Sequence, residues 1–166
     1  DIAGTWGSTI QRGSEATLLM MDIIARREST QNPMVLMGDF NNDLADGVLS
    51  HLLTNTLRFA PAFDSNTYLA KYCLNDAWQL FAKSQLNLAN QNTVDLKRKP
   101  THYFGASSSV LDYILLSCEF DSSYDDSFFE VSQYHTYDRH LINPEFERDD
   151  LSTDHGVVLI SLALRS

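Results

Sequence analysis

Asp39, Asn41, Asp112, Asp154 and His155 are the residues of this 166-residue chain whose types and settings could do chemistry. Three short stretches carry them: "GDFNN" at Gly38 to Asn42, "VLDYILL" at Val110 to Leu116 and "STDHGVVL" at Ser152 to Leu159. Each places ionisable groups at the end of an apolar run or inside it. A carboxylate in an apolar strand is costly unless it is paired or bound to a metal, so Asp112, between Leu111 and Tyr113, needs a partner. His155 is the natural one, because an Asp that accepts a hydrogen bond from an imidazole fixes its tautomer and stabilises its charged form. Taken singly, Asp-x-Asn after a strand reads as a turn whose side chains satisfy backbone groups, and Asp-His as a surface dipeptide. It is their joint occurrence, each beside a strand, that points to a site.

The elements that must position these groups follow from periodicity. Residues Gln11 to Arg27 read as a helix with Ala16, Leu19, Met20 and Ile23 on one face, a capping box from Ser8 and Gln11, and Arg26 and Arg27 at the negative end. Met34 to Met37, after Pro33 and before Gly38, has the length of a strand buried on both sides. Val48 to Leu53 suggests a short helix and Leu74 to Phe81 another, capped by Asn75 or Asp76. The polar stretch from Lys83 to Lys99 reads as loop. Val110 to Leu116 and Gly156 to Leu164 read as strands, with Phe128 to Val131 as an edge strand in an acidic, aromatic section. No internal repeat or linker divides the chain, so residues 1–166 form one α/β or α+β domain.

Composition narrows the classes. The chain is 43% hydrophobic and 11% aromatic, enough for a packed core. Nothing approaches the ~18 to 20 unbroken apolar residues that span a bilayer, and no basic region followed by an apolar one opens the chain. Cys73 and Cys118 lack the spacing of a zinc ribbon or a redox pair and read as buried thiols. The formal charge of −10 disfavours loose capture of a polyanion, so a phosphate-bearing partner needs local help, and bound divalent cations supply it by reversing the sign of an acidic site.

With "GDFN", "LDYIL" and "STDH" in this order, the sequence resembles the endonuclease/exonuclease/phosphatase superfamily, whose members include pancreatic-type deoxyribonucleases, abasic-site endonucleases and bacterial sphingomyelinases. Arg12, Glu15 and Ala16 match the family's Arg-x-x-(Glu/Gln)-Ala, and "NDAW" at Asn75 to Trp78 and "PTHYF" at Pro100 to Phe104 match weaker features. Thr153 stands where Ser usually precedes the Asp-His pair, and Val157 where Pro is frequent.

The resemblance implies a four-layer α/β/β/α sandwich of the deoxyribonuclease type, of which these residues correspond to the C-terminal part. The family's first half supplies an Asn, a metal-binding Glu and a His or Tyr. Two expectations follow: these residues alone turn over little substrate, and they self-associate through surface that the other strands would cover.

The implied activity is metal-dependent hydrolysis of a phosphate ester. Asp39 would orient or deprotonate the water, Asn41 would donate to a phosphate oxygen, and Asp112 would hold His155 at the phosphate. Asp154 would lie beside the cation with Asp39 and Asn41. That hard donor set favours Mg²⁺ or Mn²⁺ over zinc. Asn42 and Asp43 read as turn or rim residues, "HTYDRH" at His135 to His140 as a loop near His155 rather than a metal site, and Tyr103 and Phe104 as core aromatics. The absence of Trp-x-Gly-Asp-x-Asn-x-Arg and Trp-Cys-Asp-Arg argues against inositol-polyphosphate phosphatases. Nuclease and sphingomyelinase-like phospholipid phosphodiesterase readings both stand, and a non-catalytic binding module of the same fold is the rival class.

Overall fold

The computed structural model describes residues 2–44, 47–53, 70–88, 96–142 and 153–165. Helix α1 (Ile2–Ser29) is followed by strand β1 (Val35–Asp39) and a 3-10 helix (Gly47–Leu52). Then come β2 (Asn75–Asp76), α2 (Ala77–Leu88), β3 (His102–Phe104), β4 (Ser107–Ser109) and β5 (Asp112–Leu116). A 3-10 turn (Cys118–Phe120), β6 (Phe129–Tyr137), the single turn α3 (Arg139–Ile142) and β7 (Val157–Leu164) complete the order. The result is a mixed α/β arrangement with antiparallel sheets: β1-β5-β2, β3-β4 and β6-β7.

β5 organises the packing. Its side chains alternate with the period-two geometry of a strand. Tyr113 and Leu115 join Ala16 and Ile23 of α1 with Leu44, Leu49, Leu52, Leu53 and Leu74, while Ile114 and Leu116 join Ala77 and Leu80 of α2 with Phe120, Val131 and Tyr134. The strand buried on both faces is therefore β5, not β1. On β1, Val35 and Met37 are 43% and 65% exposed, because among the described residues β1 has only β5 beside it and only one of its faces packs on α1. An unbroken apolar run gives hydrophobicity without saying how many faces have cover.

Other expectations need adjusting. α1 begins well before the anticipated capping box, so Ser8 and Gln11 lie inside it, Gln11 donating to Glu15 at 2.9 Å and Ser8 accepting from Arg12 at 3.4 Å. Asp76 does cap α2, accepting the Trp78 N–H at 3.0 Å, but the helix runs on to Leu88, into the stretch that reads as loop. The polar exposed face of α2 hides its length from a reading based on apolar content. β6 extends from the anticipated edge strand through "HTY" and pairs with β7 along most of its length. His135 and Tyr137 are thus strand residues. Phe104 is 80% exposed at the end of β3, where Gly105 (φ 58°) takes the left-handed position that a two-residue hairpin needs, so it is not a core aromatic. Val157, Leu159, Leu162 and Leu164 on β7 are also exposed. Among the described residues no helix is long and apolar enough to cross a membrane.

Candidate functional site

Two antiparallel strands deliver the first two carboxylates. In the β1–β5 ladder Asp39 and Asp112 are direct register partners, the last residue of one strand opposite the first of the other. A one-residue slip would turn one of them to the far face of the sheet. Just beyond β1, Asn41 has φ 52°, a left-handed conformation that Asn tolerates better than most residues, and its N–H donates to Asp39 Oδ1 at 2.8 Å. This tight turn fixes the Asp39 carboxylate and leaves Oδ2 turned to the site. Asn42 accepts the Asp43 N–H at 3.0 Å, the behaviour of a turn residue.

His155 comes from the segment before β7. Its Nδ1 lies 2.8 Å from Asp112 Oδ2 and its Nε2 4.0 Å from Asp39 Oδ2. The hydrogen bond to Asp112, joined by the charges of Asp112, Asp39 and Asp154, holds the imidazolium above the ordinary histidine range, with burial opposing. Ligand atoms of Asp39, Asp112 and His155 lie within 4.8 Å of one another, and so do those of His102, Asp154 and His155. The site is therefore continuous, with His155 common to both groups.

Thr101 is the residue that makes this placement possible, and no role was legible for it in the sequence. Fully buried, its Oγ1 accepts the N–H groups of Leu111 (3.0 Å) and Asp112 (3.2 Å), while its carbonyl accepts Gly156 N–H at 2.6 Å. One residue thus ties the start of β5 to the segment carrying His155. A Cβ on Gly156 would sit 3.3 Å from Tyr137 O and 3.4 Å from Thr101 Cα, so a side chain there would push the segment away. His102 follows directly, bridged to His155 through the backbone with ring centroids 5.1 Å apart. The only sequence hint of either residue is "PTHYF", a weak motif whose partners lie far along the chain.

From "HTYDRH", His140 reaches the site by bonding to the His155 carbonyl at 3.0 Å. Asp138 is buried under Tyr103 and Lys99, accepting from Tyr103 Oη at 2.8 Å and Lys99 Nζ at 3.3 Å. A cavity of about 490 Å³ borders Asp39, lined by Asp39, Phe40 and Asn41 and by Arg12 and Glu15 of α1. The structure thus brings together Asp39, Asp112, Asp154 and His155, with Asn41 bonded to Asp39 at the edge. No protein-family model matches the chain, and no curated protein or solved structure matches it.

Proposed function

We propose that the chain carries the hydrolytic site of a divalent-cation-dependent phosphoesterase of the endonuclease/exonuclease/phosphatase type, within a four-layer α/β/β/α sandwich. The observation that carries this reading is the Asp112–His155–Asp39 line: an imidazole anchored at 2.8 Å through one nitrogen, with the other nitrogen 4.0 Å from a second carboxylate. That gap is too long for a hydrogen bond. It suits a water or phosphate oxygen between the two groups. The exposed apolar side chains of β1 and β7 also support a larger sandwich around these strands.

In this reading Asp39 orients the attacking water and draws its proton, and His155, kept protonated by Asp112, places positive charge and a hydrogen bond on the phosphate. Asn41 donates to a phosphate oxygen, and Arg12 lines the cavity that Asp39 and Asn41 border. The donor set fits Mg²⁺: Asp39 and Asp154 are exposed carboxylates near the imidazole, exposed Asn41 is bonded to Asp39, and Mg²⁺ is held by one or two carboxylates while keeping most of its water. When bound, the cation supplies charge neutralisation on the phosphate oxygens.

The test is hydrolysis by the full-length gene product with Mg²⁺. Duplex DNA, RNA and sphingomyelin vesicles serve as substrates, the last because exposed Phe104 lies on the hairpin that begins at His102. Turnover of one of these, abolished by chelation and by His155→Ala, is expected. Turnover that survives His155→Ala would refute the assignment, and none on any phosphate ester would favour the binding-module class.

A further inference from the structure

We propose that His102, Asp154 and His155 form a binding site for a borderline divalent cation of the zinc class, which shares Asp154 with the oxygen set assigned to Mg²⁺ and differs from it by two imidazole nitrogens. One ligand atom from each of the three lies within 4.8 Å of the other two. Zinc bonds of about 2.0 to 2.2 Å place tetrahedral donors about 3.4 Å apart, so the three must close by roughly 1.4 Å at most. Asp154 is exposed and His102 only half-buried, which leaves both side chains room to rotate. The backbone is already set, because His102 and His155 form an antiparallel bridge and their rings sit 5.1 Å apart at 46°.

The contact that holds His155 from behind is an independent indication. Metal-binding histidines almost always give their other ring nitrogen to a carboxylate or carbonyl, which fixes the tautomer and strengthens the donor. His155 has this arrangement, with Nδ1 held by Asp112 at 2.8 Å and Nε2 left as the ligand atom. Two imidazoles and one carboxylate, with a fourth position open to water, are the donors zinc uses where it keeps an open site, whereas Mg²⁺ prefers oxygen. The chain's formal charge of −10, with Asp39 and Asp112 close by, adds attraction for any dication. Resting on the hydrolytic reading, one consequence follows: a cation here occupies the nitrogen that the phosphate needs, so zinc inhibits the Mg²⁺-supported reaction.

The binding is tested on the 166-residue chain with Zn²⁺ in competition with a chromophoric chelator, and with Co²⁺ absorption as a reporter of coordination. One tight equivalent is expected, held against equimolar Mg²⁺ although the two cations share Asp154, and weakened at least tenfold by His102→Ala and by Asp154→Ala. His51→Ala and His135→Ala, at exposed histidines that are not among the three ligands, serve as controls and keep the affinity. Absence of a tight equivalent, unchanged affinity in His102→Ala, or an equal loss in the controls would overturn the site. Circular dichroism melts check that each variant folds, and exposed Asp154 gives a probe that stays informative if His102→Ala does not. Since no substrate is present, failure of zinc binding leaves the hydrolytic reading standing, and failure of hydrolysis leaves the zinc site standing.

Discussion

Two regions of the molecule pair a cation with a carboxylate, and they differ in what remains unused. At the C-terminal end of α1, Arg27 is 2% exposed and its guanidinium is spent on protein acceptors: Lys71 O at 2.9 Å, Asn32 O at 2.8 Å, Glu119 Oε1 at 2.6 Å and a longer contact to Cys118 Sγ. Burial pushes the Glu119 carboxyl up, but hydrogen bonds from Ser117 and Arg27 outweigh it and hold the group below its ordinary range. At the other end of the sheet, His155 has one nitrogen tied to Asp112 and the other 4.0 Å from Asp39, and all three side chains are partly exposed. A saturated buried pair locks α1 to the turn after β5. A half-saturated, accessible pair retains a donor for something that is not protein.

That contrast is sharpened by removing the cation from each. Arg27→Ala leaves the buried Glu119 carboxylate without its cation and should cost about 3 to 5 kcal/mol of stability, the usual penalty for breaking a buried pair. Urea denaturation of the chain measures it, and a loss below about 1 kcal/mol would erase the distinction. His155→Ala should do the reverse. It should lower kcat/KM for the proposed hydrolysis by about 100 to 1,000-fold, the cost of one preorganised transition-state donor, while costing clearly less stability than Arg27→Ala, because the Asp112 it leaves behind is partly exposed to water. A large midpoint shift would make His155 a structural residue like Arg27.

The two regions were also unequally legible. The ends of strands that carry Asp39, Asp112 and His155 could be read because motifs of polar residues interrupt apolar runs, and Asp112 announced its need for a partner by its position. The Arg27–Glu119 clasp could not, since Arg27 at the end of a helix fits a surface residue opposing the helix dipole equally well. Thr101 and His102 were hidden for another reason: their roles depend on backbone contacts with Asp112, His155 and Gly156 that no local pattern encodes. The cover expected on both faces of β1 failed for the same cause, because cover is a property of neighbours in space.

Asp112→Asn tests whether Asp112 and His155 act as a unit. The amide can hold the wrong tautomer and cannot stabilise the charged ring, so its loss should approach that of His155→Ala, with the double variant hardly worse than either. The pH profile gives a separate reading. Because the folded imidazole titrates above its unfolded value of about 6.5, the stabilisation from this pair is full below that pH and fades as pH rises through the raised value. In the proposed hydrolysis the same protonated form acts at the phosphate, so kcat/KM should fall on the alkaline side, and Asp112→Asn should move that limb to lower pH. An unmoved limb, or additive losses, would separate the two residues.

The smallest effect marks the boundary of the site. Asn42 follows Asn41 directly, yet its Oδ1 accepts the N–H of Asp43, its next neighbour, at 3.0 Å, so its hydrogen-bonding capacity is turned back on the loop. Asn41 differs in two respects: its N–H holds the Asp39 carboxylate at 2.8 Å, and its left-handed φ of 52° places the turn against the cavity. Asn42→Ala should therefore change stability by no more than about 0.5 kcal/mol, the range of surface substitutions. It should also leave kcat/KM within about threefold, since that ratio corresponds to less than 1 kcal/mol of transition-state stabilisation. Asn41→Ala should lose more on both counts, because alanine in the left-handed region is strained and the amide donor is gone. Kinetics and denaturation on the two neighbours decide the point, and equal losses would place the edge of the site one residue further along the loop.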